Sequence, residues 1–448
     1  TILFSENLER MDCIKEHGRV ERVQYNFEEI LESDHFIIHY TSSPLDSQFV
    51  NGSWTFPQVN IGYVQSIIEL LEYSFQIYLS QGWEMPPPDC DESIEDLSSV
   101  NHCINYGGNS KYDVYISNEG VGLVSPEKLY PVEPYTSGWT SFMHISSLLN
   151  QYDEYPFWSH HVIAHELHHA IQMRYGSGTS GTPGNYTYNL WFFEQTATYM
   201  ENAIFPNSSH LRTMLNNCNV VTPLTYPEHP IGYRFEIYPY RSALWQKFLV
   251  ENYNDSSIVR YQWEEYGLEF ATGDNVSLYS IYNNSILTAT NQEFDLENAN
   301  KDYGIWRYFS GDRYINNQFF AEGNSYCTAN TFSHEEVNSI ESENGSAYFI
   351  ELPNEYNTIQ IESSIQGIIN AQYLEIQGGN INLVEINMDQ SISEFTYFEA
   401  ENTNHALIIT SGYTGNDSEE ITLNITLHEP IIVGDVNNDL EVNVVDIV

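Results

Sequence analysis

His165-Glu166-Leu167-His168-His169 constrains this chain more than any other stretch. Residues four apart on an α-helix lie one above the other, so the imidazoles of His165 and His169 reach toward one metal ion. Glu166 sits beside that face, placed to take a proton from a metal-activated water. The flanks also read as a helix. Pro156-Phe157-Trp158 opens the segment, Val162, Ile163, Leu167, Ala170 and Ile171 give it an apolar face, and Gly176 ends it.

A catalytic zinc usually takes three protein ligands and leaves its fourth position to water. The source of the third is the largely apolar stretch from Trp191 to Glu201, which carries Glu194 in its first turns. HExxH followed by this W-x-x-E-x-x-A-x-Y helix resembles the gluzincins, zinc peptidases that use two His and one Glu, and more closely their secreted bacterial members. Asp34 to Tyr40, Pro86-Pro87-Pro88-Asp89 and Tyr112 to Ile116 resemble the lead-in to such domains. Tyr238 to Arg241 with Leu244 to Leu249 resembles the helix that follows. The likeness covers residues 30 to 265. It implies His165, His169 and Glu194 as zinc ligands, Glu166 as general base, and a protein or peptide substrate. It also implies that the last strand before the zinc helix forms the upper wall of a cleft, where an extended substrate pairs its backbone. Tyr238 and Tyr240 are the candidate donors to the oxyanion. The metzincin extension, a Gly and a third His soon after HExxH, is absent.

Other histidines on the same helix compete for the metal. His160, His161 and His168 read as surface or outlying groups, because neither alternative pairing brings a Glu between its two rings. Glu201, two turns after Glu194, is the alternative third ligand. The rival function is an extracellular surface or matrix assembly protein that keeps a peptidase fold, and the complete set of four groups weighs against it.

Composition narrows the setting. With 62 acidic residues against 15 basic ones, the formal net charge is −47. That surface excludes nucleic acid and anionic membranes as partners and attracts cations. No apolar run is long enough to span a bilayer. Thr1 rather than Met begins the sequence, so the expectation is a secreted protein whose leader has been removed. Among 5 cysteines, Cys90 and Cys103 flank an acidic, Ser-containing loop and are the expected disulfide, whereas Cys13, Cys218 and Cys327 have no assignable partner. Cys13 reads by default as buried or disulfide-bonded, with a thiolate that occupies the zinc in a latent enzyme as the alternative.

The fold class is α+β: a zincin-like domain of a small sheet plus helices, followed by an all-β sandwich. Residues 1–30 form an N-terminal strap or pro-segment remnant. Residues 31–328 form the metallopeptidase domain, with strands at 35–40, 112–116 and 140–145, a long amphipathic helix at 61–79, and a helical lower lobe at 240–253, 258–266 and 292–310. Residues 329–430 change texture, with short apolar runs such as Tyr348 to Leu352, Thr358 to Ile361 and Ile421 to Ile425 separated by Gly, Asn and Ser. Residues 431–448 resemble the first calcium loop of a type I dockerin repeat. That resemblance implies Ca²⁺ ligands at Asp435, Asn437, Asp439, Asn443 and Asp446 and a protein partner for the tail. Leu440 replaces the Gly of the sharp turn, and the rest of the repeat is not in the sequence, so a complete dockerin is not expected.

The charge generates a first prediction. Screening relieves like-charge repulsion, so the thermal midpoint should rise between low and near-molar NaCl at fixed calcium. A midpoint that falls with salt would show that repulsion does not limit stability.

Overall fold

The computed structural model describes residues 27 and 29–428, except 51–52, 97–98, 100–101, 150–157, 177–185, 208, 272–275, 317, 342, 354–356, 366, 398–401 and 413–419. Cys13, the N-terminal strap and the five tail positions Asp435, Asn437, Asp439, Asn443 and Asp446 therefore lie outside the described residues. The chain is α+β and divides into two compact units, one running to Met214 and taking in Arg234–Glu293, the other made of Leu215–Tyr233 and the residues from Phe294 onward.

The first unit begins with β1 (Glu29–Glu32), β2 (Phe36–Tyr40), the small hairpin of β3 (Gln48–Val50) and β4 (Ser53–Thr55), and α1 (Ile61–Ser80). Then come β5 (Tyr112–Ser117), β6 (Gly122–Leu129), β7 (Trp139–Ser146), α2 (Trp158–Tyr175), α3 (Tyr186–Ile204) and α4 (His210–Leu215). After the excursion into the second unit, α5 (Tyr238–Arg241), α6 (Ala243–Tyr253), α7 (Ile258–Ala271) and α8 (Leu278–Ala289) complete it. Five strands form one sheet in the order β1-β2-β5-β7-β6, with β2, β5 and β7 parallel and the two edges antiparallel.

Burial explains the centre of that sheet. All of β2 and nearly all of β5 are buried, as parallel strands covered on both faces require. Helix α1 starts where the Asn60 side chain accepts the Tyr63 backbone N–H, and it buries Val64, Ile67, Ile68 and Leu71 at helical spacing. Its Tyr78 hydroxyl donates to the Ala164 carbonyl at 3.1 Å and so docks α2. Gly176, at φ 155°, ends α2; a Cβ there would stand 2.7 Å from the Phe270 ring.

The strand beside α2 differs from the expectation. The last strand before that helix, β7, lies inside the sheet between β5 and β6, so it is not the cleft wall. The edge is β6, which sequence patterning does not reveal. It contains Gly122 and Pro126, residues depleted in strands, and Pro is tolerated here because the strand is an edge with a register shift at Pro126/Lys128.

The second unit holds α9 (Leu296–Tyr308) and the strands β8 (Ser339–Glu341), β9 (Ala347–Leu352), β10 (Asn357–Ser363) and β11 (Ile369–Gln377). It continues through β12 (Asn380–Ile386), β13 (Ile392–Tyr397), β14 (Thr403–Ser411) and β15 (Glu420–His428). They form the sheets β13-β10-β15-β8 and β12-β11-β14-β9, which enclose one apolar core that includes Ile340, Ile350, Ile359, Ile361, Leu407, Ile409 and Leu423. That is the expected sandwich. The expected boundary at 328 is not where the units part, and α9 belongs with the sandwich rather than with a lower lobe. Gly304 sits under β14 where a Cβ would meet the Thr410 methyl at 2.6 Å, and buried Arg307 donates to the carbonyls of Pro223, Pro227 and Gly345.

The disulfides are Cys90–Cys103, as expected, and Cys218–Cys327, which the sequence leaves unpaired. The second joins two cysteines of the second unit at a separation of 109, and the loop it closes takes in Arg234–Glu293 of the first unit. Cross-links of such long loops remove about 2–5 kcal/mol of unfolded-state freedom. Cys218→Ser with Cys327→Ser should therefore lower the unfolding midpoint of the sandwich unit. An unchanged midpoint would show that its core and Arg307 suffice.

Candidate metal site

Helices α2 and α3 bring their polar faces together inside the first unit. His165 and His169 project from α2 and Glu194 from α3, all at least nine-tenths buried. His165 Nε2 lies 3.0 Å from Glu194 Oε2 and 3.0 Å from His169 Nε2, and His169 Nε2 lies 3.4 Å from the same carboxylate oxygen. The ligand set read from the sequence is thus gathered into one triangle.

The outer nitrogens decide what that triangle is. Gln172 Nε2 donates to the Phe193 carbonyl and to Thr196 Oγ1, each at 3.0 Å, so its Oε1 is the accepting end. His169 Nδ1, 2.7 Å from Oε1, then carries the hydrogen. Thr196 is fixed in turn, since its hydroxyl donates to the Phe192 carbonyl at 2.9 Å and accepts from Trp263 Nε1 at 3.2 Å. On the other ring, His165 Nδ1 lies 2.8 Å from Glu201 Oε1. Burial opposes charge on Glu201, but His210 and His165 outweigh it and hold its carboxyl at about 2, so it accepts only. With Nδ1 turned outward on each ring, both rings turn Nε2 inward.

Three electron-rich atoms in van der Waals contact repel one another. A single proton can bridge only one of the three contacts. A tetrahedral ion with bonds of about 2.0–2.2 Å sets its ligand atoms about 3.3 Å apart and serves all three at once. The separations of 3.0–3.4 Å, the two oriented imidazoles and the carboxylate fit such an ion. Glu194 Oε1 is buried without a hydrogen-bond partner among the described residues, which an ion beside it would compensate.

Glu166, the residue after His165, is buried and rests against β6. A Cβ on Gly122 would lie 2.5 Å from Glu166 Oε1, so only glycine leaves the carboxylate its place. Gly122 is a site residue that the motif does not announce. Of the tyrosines, Tyr240 stacks on His165, ring centres 5.7 Å apart, while Tyr238 is packed in the core with 1% of its surface exposed.

The remaining histidines of α2 are outlying rather than surface groups: His161 and His168 are buried and His160 is half-buried. His168 is fully buried, stacked on Tyr78 and edge-on to Trp83, with neither ring nitrogen bonded among the described residues. Burial, helped by His169 and His165, keeps it neutral. His160 is half-buried against Phe205, and His161 is buried beside Glu201. Glu201 itself meets the outer nitrogen of His165 and is not part of the Nε2 triangle. The spacing of His161, His165 and His169 at successive turns was the available signal for a continuous histidine face. No family model matches the chain, and no curated protein matches it.

These positions predict different responses. Glu194→Ala should lower the zinc content by one equivalent, because a ligand is gone. His168→Phe should keep that zinc and cost about 1–3 kcal/mol, since a somewhat larger ring enters a closed aromatic slot. Metal analysis and thermal melts of both variants provide the check. Zinc lost from the Phe variant and kept in the Ala variant would overturn the ligand set.

Proposed function

We propose that the protein is a secreted zinc-dependent endopeptidase of gluzincin type. The observation that carries the reading is the buried triangle of His165 Nε2, His169 Nε2 and Glu194 Oε2, with buried Glu166 next in sequence to His165. His165, His169 and Glu194 would hold the ion, which when bound acidifies water and polarises a carbonyl oxygen. Glu166 takes the proton of the attacking water and delivers it to the leaving amine nitrogen. Its contact with Gly122 fixes the carboxylate beside the edge strand, where an extended substrate segment can add its backbone to β6. Tyr240, beside His165, is the better placed of the two tyrosines to donate a hydrogen bond to the oxyanion. The buried face around His168, Trp263 and Phe192 keeps the ligands rigid and dry.

The secreted setting is supported by the two disulfides and by the solubilising charge. No helix among the described residues is long and apolar enough to cross a membrane.

Glu166→Gln separates holding the metal from using it. It keeps size and helix position, so zinc should stay in the triangle while cleavage of an unfolded protein such as casein falls about 10²–10⁴-fold. Cleavage by the Gln variant at the wild-type rate would sink the peptidase reading.

A further inference from the structure

A second group of metal-binding side chains lies one helical turn from the first. His161 precedes His165 by one turn of α2, Glu201 follows Glu194 by two turns of α3, and His210 opens α4. Glu201 Oε2 lies 2.6 Å from His210 Nδ1 and 3.6 Å from His161 Nδ1, and the two imidazole centres are 5.0 Å apart. His161 and Glu201 are buried, and the His210 side chain keeps 23% of its surface exposed. One ligand atom from each of the three falls within 4.8 Å of the others.

We propose that His161, Glu201 and His210 form a second site for a transition-metal ion of the zinc class, joined to the first through Glu201. Two imidazoles and one carboxylate suit zinc, cobalt or nickel rather than calcium or magnesium, which favour all-oxygen shells. The separations of 2.6 and 3.6 Å bracket the roughly 3.3 Å between ligands of a tetrahedral ion. Rotation of the half-open His210 ring lengthens the shorter of the two. Both imidazoles would coordinate through Nδ1 and carry their hydrogen on Nε2. The exposed side of His210 leaves a path for the ion and a position for water. Glu201 is shared by its two oxygens. Oε1 accepts the His165 Nδ1 hydrogen at 2.8 Å, and Oε2 faces the second group. An ion there draws electron density from the carboxylate that supports a ligand of the first site, so the two sites are coupled through one side chain. Trp158 stands edge-on to both His161 and His210 and closes that side of the cluster.

Binding at the second site is independent of catalysis and shows in a metal count. The full chain is dialysed against micromolar Zn²⁺ in excess Ca²⁺ and NaCl, which occupy oxygen-only sites and the acidic surface. The expected count is two zinc ions per chain in the wild type and one in His210→Gln, His161→Gln or Glu194→Ala. The double variant Glu194→Ala/His210→Gln should bind none. Co²⁺ added to the metal-free wild-type chain should give two successive saturating sets of d–d bands, a readout that needs no variant to fold. A wild type with one zinc that both Gln variants keep would overturn the second site and leave the cluster hydrogen-bonded only. A count lowered by His210→Gln and unchanged by Glu194→Ala would uphold this site and remove the first.

Discussion

The close approach of His165 Nε2, His169 Nε2 and Glu194 Oε2 is the constraint around which the first unit is arranged. Such an arrangement is unfavourable in a dry interior unless a positive charge sits among the three atoms. The surrounding side chains hold it in place. Gln172 and Thr196 fix one ring, Glu201 fixes the other, and Trp263 closes the chain of hydrogen bonds. These groups lie on α2, α3 and α7, so the packing of those helices and the orientation of the ligands are one problem. A shift of any of the three would break a hydrogen bond as well as an apolar contact.

The sheet has a different task. Its buried parallel centre supplies a rigid floor, and its antiparallel edge β6 meets the base of the proposed mechanism. The meeting depends on an absent atom, the Cβ of Gly122, which would overlap Glu166. Strand β6 is therefore a poor strand by composition and a suitable one by position, with Gly and Pro where an edge tolerates them. The sandwich unit stands on its own apolar core, one disulfide and a buried arginine that gathers three carbonyls.

Local spacing made a large part of this legible in the sequence. A separation of four residues on a helix places two rings on one face whatever surrounds them, so His165 and His169 follow from the chain alone. The same holds for α1, whose apolar positions repeat at helical spacing, and for sandwich strands such as β9, β10, β14 and β15, marked by apolar runs between turn residues. The Cys90–Cys103 link spans a short loop and was readable for the same reason. Glu194 required the next step, the resemblance of its helix to a known pattern.

Tertiary structure decided what joins distant segments. His168 and His169 are neighbours in sequence, yet one faces the triangle and the other an aromatic slot formed by Tyr78, Trp83 and Trp263, which lie on or beside other helices. Glu201 meets the outer rather than the inner nitrogen of His165 because α3 crosses α2 with that register, and periodicity within one helix does not contain the crossing. Helix α9 joins the sandwich because Gly304 admits β14 and Arg307 finds its carbonyls there. The sequence by itself determined which groups share a face, since that follows from the pitch of one helix. Only the packed fold decided which faces meet and at what distance, because those depend on the shapes of side chains far apart in the chain.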